Sequence, residues 1–116
     1  MSKGDPAPVE SILADDVVFR SPAVFKPYEG KEAVMTLLKA VFEVFEGFEY
    51  VDELEGHGTH GLVFRARVGD KQVEGWDYVR EVDGKVTELT VMIRPFSGLS
   101  ALLEEMGRKL GAAPAT

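Results

Sequence analysis

The chain contains no cysteine. Disulfide staples, thiolate nucleophiles and thiolate metal sites are therefore excluded, while the redox compartment stays open. No apolar run reaches the length of a membrane span, and the N-terminus lacks the apolar core of a secretion signal, so a soluble, cytoplasmic protein is the expectation. Positive charge is scarce as well: 13 Lys and Arg stand against 20 Asp and Glu, a formal net charge of -7. Nucleic acid and anionic membranes need a positive surface, and with no cluster of Lys and Arg neither is expected as a partner. The two histidines, His57 and His60, come with no carboxylate triad at ligand spacing, so no metal and no other cofactor is expected. Internal repeats and low-complexity tracts are absent too.

What remains is 116 residues with 45% apolar content, enough for one compact domain with a core and too short for two. Residues 1–8 are rich in Pro, Gly, Ser and charge and read as a mobile arm. Residues 9–110 form the domain, and 111–116 read as a frayed tail. Val9 to Ala14 has room for one or two helical turns, and Val17 to Ser21 alternates as a short strand stopped by Pro22. An irregular loop with Phe25, Pro27 and Tyr28 leads to Gly30. From Lys31 to Glu46 the positions Val34, Leu37, Leu38, Val41, Phe42 and Phe45 recur at three- and four-residue spacing, an amphipathic helix with Gly47 as its stop.

Three strands follow. Phe48 to Leu54 alternates up to a turn at Gly56-His57-Gly58, and Thr59 to Val68 puts His60, Leu62, Phe64, Ala66 and Val68 on one face. A two-residue turn at Gly69-Asp70 then matches Ala66 to Val73, Phe64 to Gly75 and Leu62 to Asp77. The strand from Lys71 to Val82 carries Asp77 among apolar residues, and its register with the strand ending at Pro95 decides what Asp77 does. A three-residue loop Val82-Asp83-Gly84 sets Asp77 opposite Leu89, on a face shared with Val73, Val79, Val91 and Ile93. A two-residue turn at Asp83-Gly84 sets it opposite Thr90, as a surface charge. Burial of Leu89, Val91 and Ile93 favours the first. After Pro95, with Ser97 or Ser100 as cap, a closing helix places Leu99, Leu102, Leu103, Met106 and Leu110 on one side. The fold class is α+β: a cone-shaped, curved antiparallel or mixed sheet packed on helices, with a shortened N-terminal helix and a C-terminal helix.

The run Ala14-Asp15-Asp16-Val17-Val18-Phe19 with Pro22, then Tyr28-Glu29-Gly30-Lys31-Glu32-Ala33-Val34, resembles the front half of the nuclear transport factor 2-like, or SnoaL-like, superfamily. Gly75-Trp76-Asp77-Tyr78-Val79-Arg80, with Asp83-Gly84-Lys85-Val86 and Glu88, is similar to its back half. That resemblance implies a bent sheet wrapped round helices. It leaves the activity open among ketosteroid isomerase, polyketide cyclases, limonene-type epoxide hydrolases, dioxygenase small subunits and plain binding domains, so the site must decide. Asp77 matches the position where ketosteroid isomerase keeps a protonated aspartic acid as an oxyanion donor. The isomerase's general base falls on Ser21, which cannot take a proton unaided, and the helix carrying its tyrosine is largely missing. The final-strand acid of the cyclase-like and hydrolase-like members falls on Val91. Steroid isomerisation is therefore not expected.

The candidate site that follows is a compact apolar pocket with Asp77 as proton donor or acceptor, its pKa raised by apolar neighbours. His60, diagonal to Asp77 on the next strand, is the expected helper, giving acid/base chemistry of isomerase, cyclase, dehydratase or hydrolase type. The competing reading makes His60 a solvent-facing strand-end residue. Candidate ligand-binding residues are Phe19, Tyr28, Phe42, Phe45, Leu62, Phe64, Leu89, Val91 and Ile93, and the expected ligand is a small apolar molecule. The competing reading of the aromatics is plain core. Trp76, Tyr78, Met92 and Arg94 share the opposite face and suit a homodimer interface, unless the terminal helix covers them. The alternative function is a non-catalytic ligand-binding or dimerisation domain, including one whose pocket is filled by its own phenylalanines. Leaving the concave face bare costs about 25 cal/mol per Å², so the terminal helix is expected to pack over the pocket mouth or across a dimer partner.

Overall fold

The computed structural model describes residues 7–110; the expected N-terminal arm through residue 6 and the tail 111–116 lie outside the described residues. In chain order the elements are α1 (Ala7–Ile12), β1 (Leu13–Arg20), β2 (Tyr28–Glu29), α2 (Lys31–Val44), β3 (Glu46–Glu55), β4 (Thr59–Val68), β5 (Lys71–Val82), β6 (Lys85–Arg94) and α3 (Phe96–Leu110). The six strands form one sheet in the order β2-β1-β6-β5-β4-β3. All pairings are antiparallel except β1 with β6, which is parallel and makes the sheet mixed. Among the described residues no helix is long and apolar enough to cross a membrane.

Local chemistry accounts for most boundaries. The helix α2 stops at Phe45, whose extended backbone (φ -69, ψ 135) ends the ladder two residues before Gly47. Its buried residues are Val34, Met35, Leu38, Ala40 and Val44, whereas the expected Leu37, Val41 and Phe42 stay half-buried. One stripe of the helix packs on the sheet and the other looks into a cavity, which is why the apolar face is wider than the fully buried one. Strand β1 begins four residues earlier than expected because Leu13 already pairs with Val86 across the parallel junction. Tyr28-Glu29, expected to be loop, returns to pair with β1, setting Tyr28 opposite Phe19.

The β5–β6 turn corrects the expected loop. Val82 pairs with Lys85, so the turn has two residues, Asp83 (φ 52) and Gly84 (φ 81), both in the left-handed region that a tight hairpin of this kind demands. The register then shifts between Arg80, opposite Glu88, and Glu81, opposite Val86. Thr87 is the extra residue of this bulge, and its hydroxyl donates back to the Arg80 carbonyl at 3.4 Å. Turn and bulge together move the register by an even number of residues. Asp77 therefore faces inward as expected, but opposite Val91 rather than Leu89.

Two apolar clusters flank the concave face. One gathers Leu13, Val17, Phe19, Val34, Leu38 and Leu89. The other gathers Phe45, Phe64, Ala66, Val73 and Leu102, and Val91 touches both. Helix α3 folds back within the same chain onto α2, β4, β5 and β6, on the concave side, so it leaves the Trp76 face bare.

Candidate functional site

Between the two clusters lies a cavity of about 810 Å³. Helix α3 closes one side with Leu102, Leu103 and Met106, and α2 another with Leu37, Val41 and Phe42. The sheet supplies the floor in rows, because β4 and β5 pair as the alternation predicts: Leu62 opposite Asp77, and Phe64 opposite Gly75. At Gly75 the missing side chain is used, since a Cβ there would lie 2.2 Å from the Phe64 ring. Phe64 sinks into that gap and leaves the space in front of Asp77 free.

The ring of Phe64 starts a chain of aromatic contacts that ends at the acid. Phe48 stacks on Phe64 with centroids 5.0 Å apart, and Tyr50 meets Phe48 edge-on at 5.0 Å. So placed, the Tyr50 hydroxyl donates to Asp77 Oδ2 at 3.4 Å. Burial pushes the Asp77 carboxyl up to about 7, against the partial lowering from the Tyr50 hydrogen bond. The Tyr50 phenol is pushed well above its usual range, first by burial and then by the Asp77 charge and their hydrogen bond. Tyr50 nevertheless keeps 40% of its surface exposed, because the pair looks into an open cavity surrounded by protein. Burial leaves the charged form of the acid incompletely solvated.

Every candidate ligand residue, from Phe19 and Tyr28 through Phe42, Phe45, Leu62 and Phe64 to Leu89, Val91 and Ile93, lines this one cavity. His60 lines it as well, but its Nε2 lies 3.7 Å from Glu81 Oε1, and Tyr50 is the side chain hydrogen-bonded to Asp77. The expected His60–Asp77 pairing is thus replaced by two separate pairs. Ser21, on which the sequence resemblance puts the isomerase's base, accepts from the backbone N–H of Ala23 (3.1 Å) and of Val24 (3.3 Å). Its oxygen fixes a turn and has no basic partner. Tyr50, Phe48, Glu53 and Glu81 line the cavity without having been singled out. The alternation Phe48-x-Tyr50 was a signal for the phenol. Glu53 turns inward only through the register shift between Tyr50 and Asp52, which no residue type announces. Among the described residues no group of three or more His, Asp or Glu could hold a metal ion.

Residues 1–89 match the family model of the SnoaL-like domain. The chain belongs to the SnoaL-like family. This SnoaL-like domain is similar to the crystal structure of a steroid delta-isomerase from Pseudomonas aeruginosa, at 42% identity and a TM-score of 0.89, covering 93% of this chain and 81% of that one. It is similar also to an uncharacterized bacterial protein with a cystatin-like fold from Silicibacter pomeroyi DSS-3, at 28% identity and a TM-score of 0.89, over 94% and 78% of the two chains. A de novo designed protein with a curved β-sheet, 13% identical with a TM-score of 0.74 over 90% and 83% of the chains, shares the fold alone. No curated protein matches.

Proposed function

We propose that the domain binds a largely apolar carbonyl compound and shifts a proton within it, an isomerase-type reaction in which Asp77 carries the proton. The observation that carries this reading is a carboxyl, pushed up to about 7 by burial, among the mostly apolar residues that line the cavity. A group with that poise accepts and returns a proton with equal ease at neutral pH. In a β,γ-unsaturated ketone the Asp77 carboxylate takes the proton from the carbon between the alkene and the carbonyl. The electron pair moves onto the carbonyl oxygen as a dienolate. Once Asp77 is neutral, the Tyr50 hydroxyl is released from it and can turn to the developing oxyanion. The acid then returns its proton to the far carbon, the electrons flow back, and the conjugated ketone leaves with its atoms unchanged and Asp77 regenerated. The 42% identity to a steroid delta-isomerase supports this class. Ser21, on which the resemblance puts the isomerase's base, counts against that relative's own proton route, so this reading gives the proton transfer to Asp77.

The test is turnover of a rigid polycyclic β,γ-unsaturated ketone, followed by the rise in conjugated-enone absorbance, in the wild type and Asp77→Asn. The proposal expects kcat/KM to rise with pH through about 7, because the carboxylate is the working form. An activity that falls through that midpoint assigns Asp77 the donor role instead. Binding of the ketone without turnover in the wild type makes the domain a ligand-binding module, the reading favoured by Val91 standing opposite Asp77 where a second acid is absent.

The bare outer face supports a second copy as partner. Trp76 and Met92 keep 42% and 64% of their surface exposed, and Trp76 lies flat over Gly61, where a Cβ would meet its indole nitrogen at 2.9 Å. The charges beside them are already paired within the chain, so two copies can meet without stranding a charge. Light scattering is expected to give a dimer for the wild type and a monomer for Trp76→Glu; a wild-type monomer at micromolar concentration contradicts it.

A further inference from the structure

All five strand-borne arginines share the outer face. Arg20 and Arg80 clamp Glu88 at 2.8 and 3.2 Å, Arg65 and Arg94 clamp Glu74 at 3.3 and 3.2 Å, and Arg67 holds Glu46 at 3.3 Å. The inner face has the opposite character. Among the described residues lining the cavity there are three carboxylates, Glu53, Asp77 and Glu81, one histidine, and no lysine or arginine. Of the cations carried by the surrounding elements, Lys85 donates to the Ser11 carbonyl at 2.8 Å, Lys109 pairs with Glu43 at 3.4 Å and Arg108 pairs with Glu104 and Glu105.

Asp77 is partly buried in the wall, whereas Glu53 and Glu81 line the cavity from exposed positions. Glu53 and Asp77 both pair with Leu62 from the strands on either side of β4, about 10 Å apart at the spacing of two strands. Glu81 is four residues beyond Asp77 on β5, about 13 Å along the strand. His60 beside Glu81 shares that end, with 30% of its side chain exposed against 46% for Glu81, which places the pair at the mouth. Walls of low dielectric focus the field of such charges into the cavity.

We propose that the cavity selects by charge for a rigid apolar amphiphile bearing a protonated amine, seated toward Glu53 and Glu81, and rejects carboxylates and phosphates of the same shape. This rests on the cavity being the ligand site and deepens that reading by naming the ligand class. The amine lies about 10 to 13 Å from the reacting carbonyl, the distance that separates Asp77 from the two outer carboxylates.

Three probes of one shape test it: 1-adamantylamine, 1-adamantanol and 1-adamantanecarboxylate, titrated by calorimetry at low ionic strength. The amine is expected to bind about tenfold or more tightly than the carboxylate. In Glu53→Gln/Glu81→Gln, shown folded by its Tm, that ratio falls toward one. In the wild type, raising the salt concentration narrows it without any substitution. Equal affinity for amine and carboxylate, or a preference for the carboxylate, overturns the charge selection while adamantanol binding upholds the pocket. Failure of all three to bind overturns both. Trp76, on the outer face, is the wrong reporter for any of these titrations.

Discussion

The two faces of strand β5 show how one sheet gives its charges different work. Outward, Glu74 is held by Arg65 on one carboxylate oxygen and Arg94 on the other, with Arg80 of the same strand clamping Glu88. Inward, three residues from Glu74, Asp77 has one phenol and a wall of apolar side chains. Strand alternation alone separates the two environments. A carboxylate clamped by two guanidinium groups in water is a structural pin of modest worth. A carboxylate with a single hydrogen bond beside a cavity is unsatisfied as an anion, and its proton is correspondingly available for exchange.

The sharpest way to break this comparison is to neutralise one acid on each face. Asp77→Asn is expected to cost about 10² to 10⁴ in kcat on the ketone substrate, and Glu74→Gln to leave it within about a factor of two. Similar losses from both substitutions would erase the distinction between the faces. The same pair separates by stability. The folded-state pKa of Asp77, about 7, lies above its unfolded value of 3.8, so the folded state binds the proton more tightly. Ionised Asp77 therefore destabilises the fold above about 7, and that penalty disappears as pH falls from about 7 to about 4. Relative to Asp77→Asn, the wild type is expected to gain on the order of 1 to 3 kcal/mol across that window, less than the full shift because the open cavity screens the charge. Thermal melts of both proteins at pH 8 and pH 4.5 read the difference.

A smaller effect is expected for Tyr50→Phe. The Tyr50 hydrogen bond lowers the Asp77 pKa, so its removal should move the midpoint of the pH–kcat/KM profile upward and reduce kcat about tenfold. A downward movement would mean that the phenol stabilises the neutral acid. The smallest effect belongs to the outer face. Arg94→Ala removes one of two clamps on Glu74 and should cost at most about 1 kcal/mol by denaturant titration, without changing kcat.

How much of this was legible in the sequence depends on how local the determinant is. The β4–β5 register could be read because a Gly69-Asp70 turn and two matched apolar faces agree on it, and the inward face of Asp77 followed from the burial of Leu89, Val91 and Ile93. Its partner Val91 could not be read, because the Thr87 bulge adds a residue that no turn signal marks. Glu53 faces the cavity for the same kind of reason. The helix stripe of α2 was visible, but Met35, Ala40 and Val44 are buried by the tertiary packing of α3 and the sheet, which periodicity within one helix does not contain. His60 was placed on the correct face, and only the side-chain geometry turned it toward Glu81. The arginines look scattered along the chain and become a cluster only when four strands align.

The central claim is that burial, and not a cation or a second acid, sets the protonation of Asp77. Carbon-detected NMR titration of the side-chain carboxyl tests it most directly. The account expects a midpoint of about 7 in the wild type, shifted upward in Tyr50→Phe. A midpoint near the ordinary value of about 4 would contradict it.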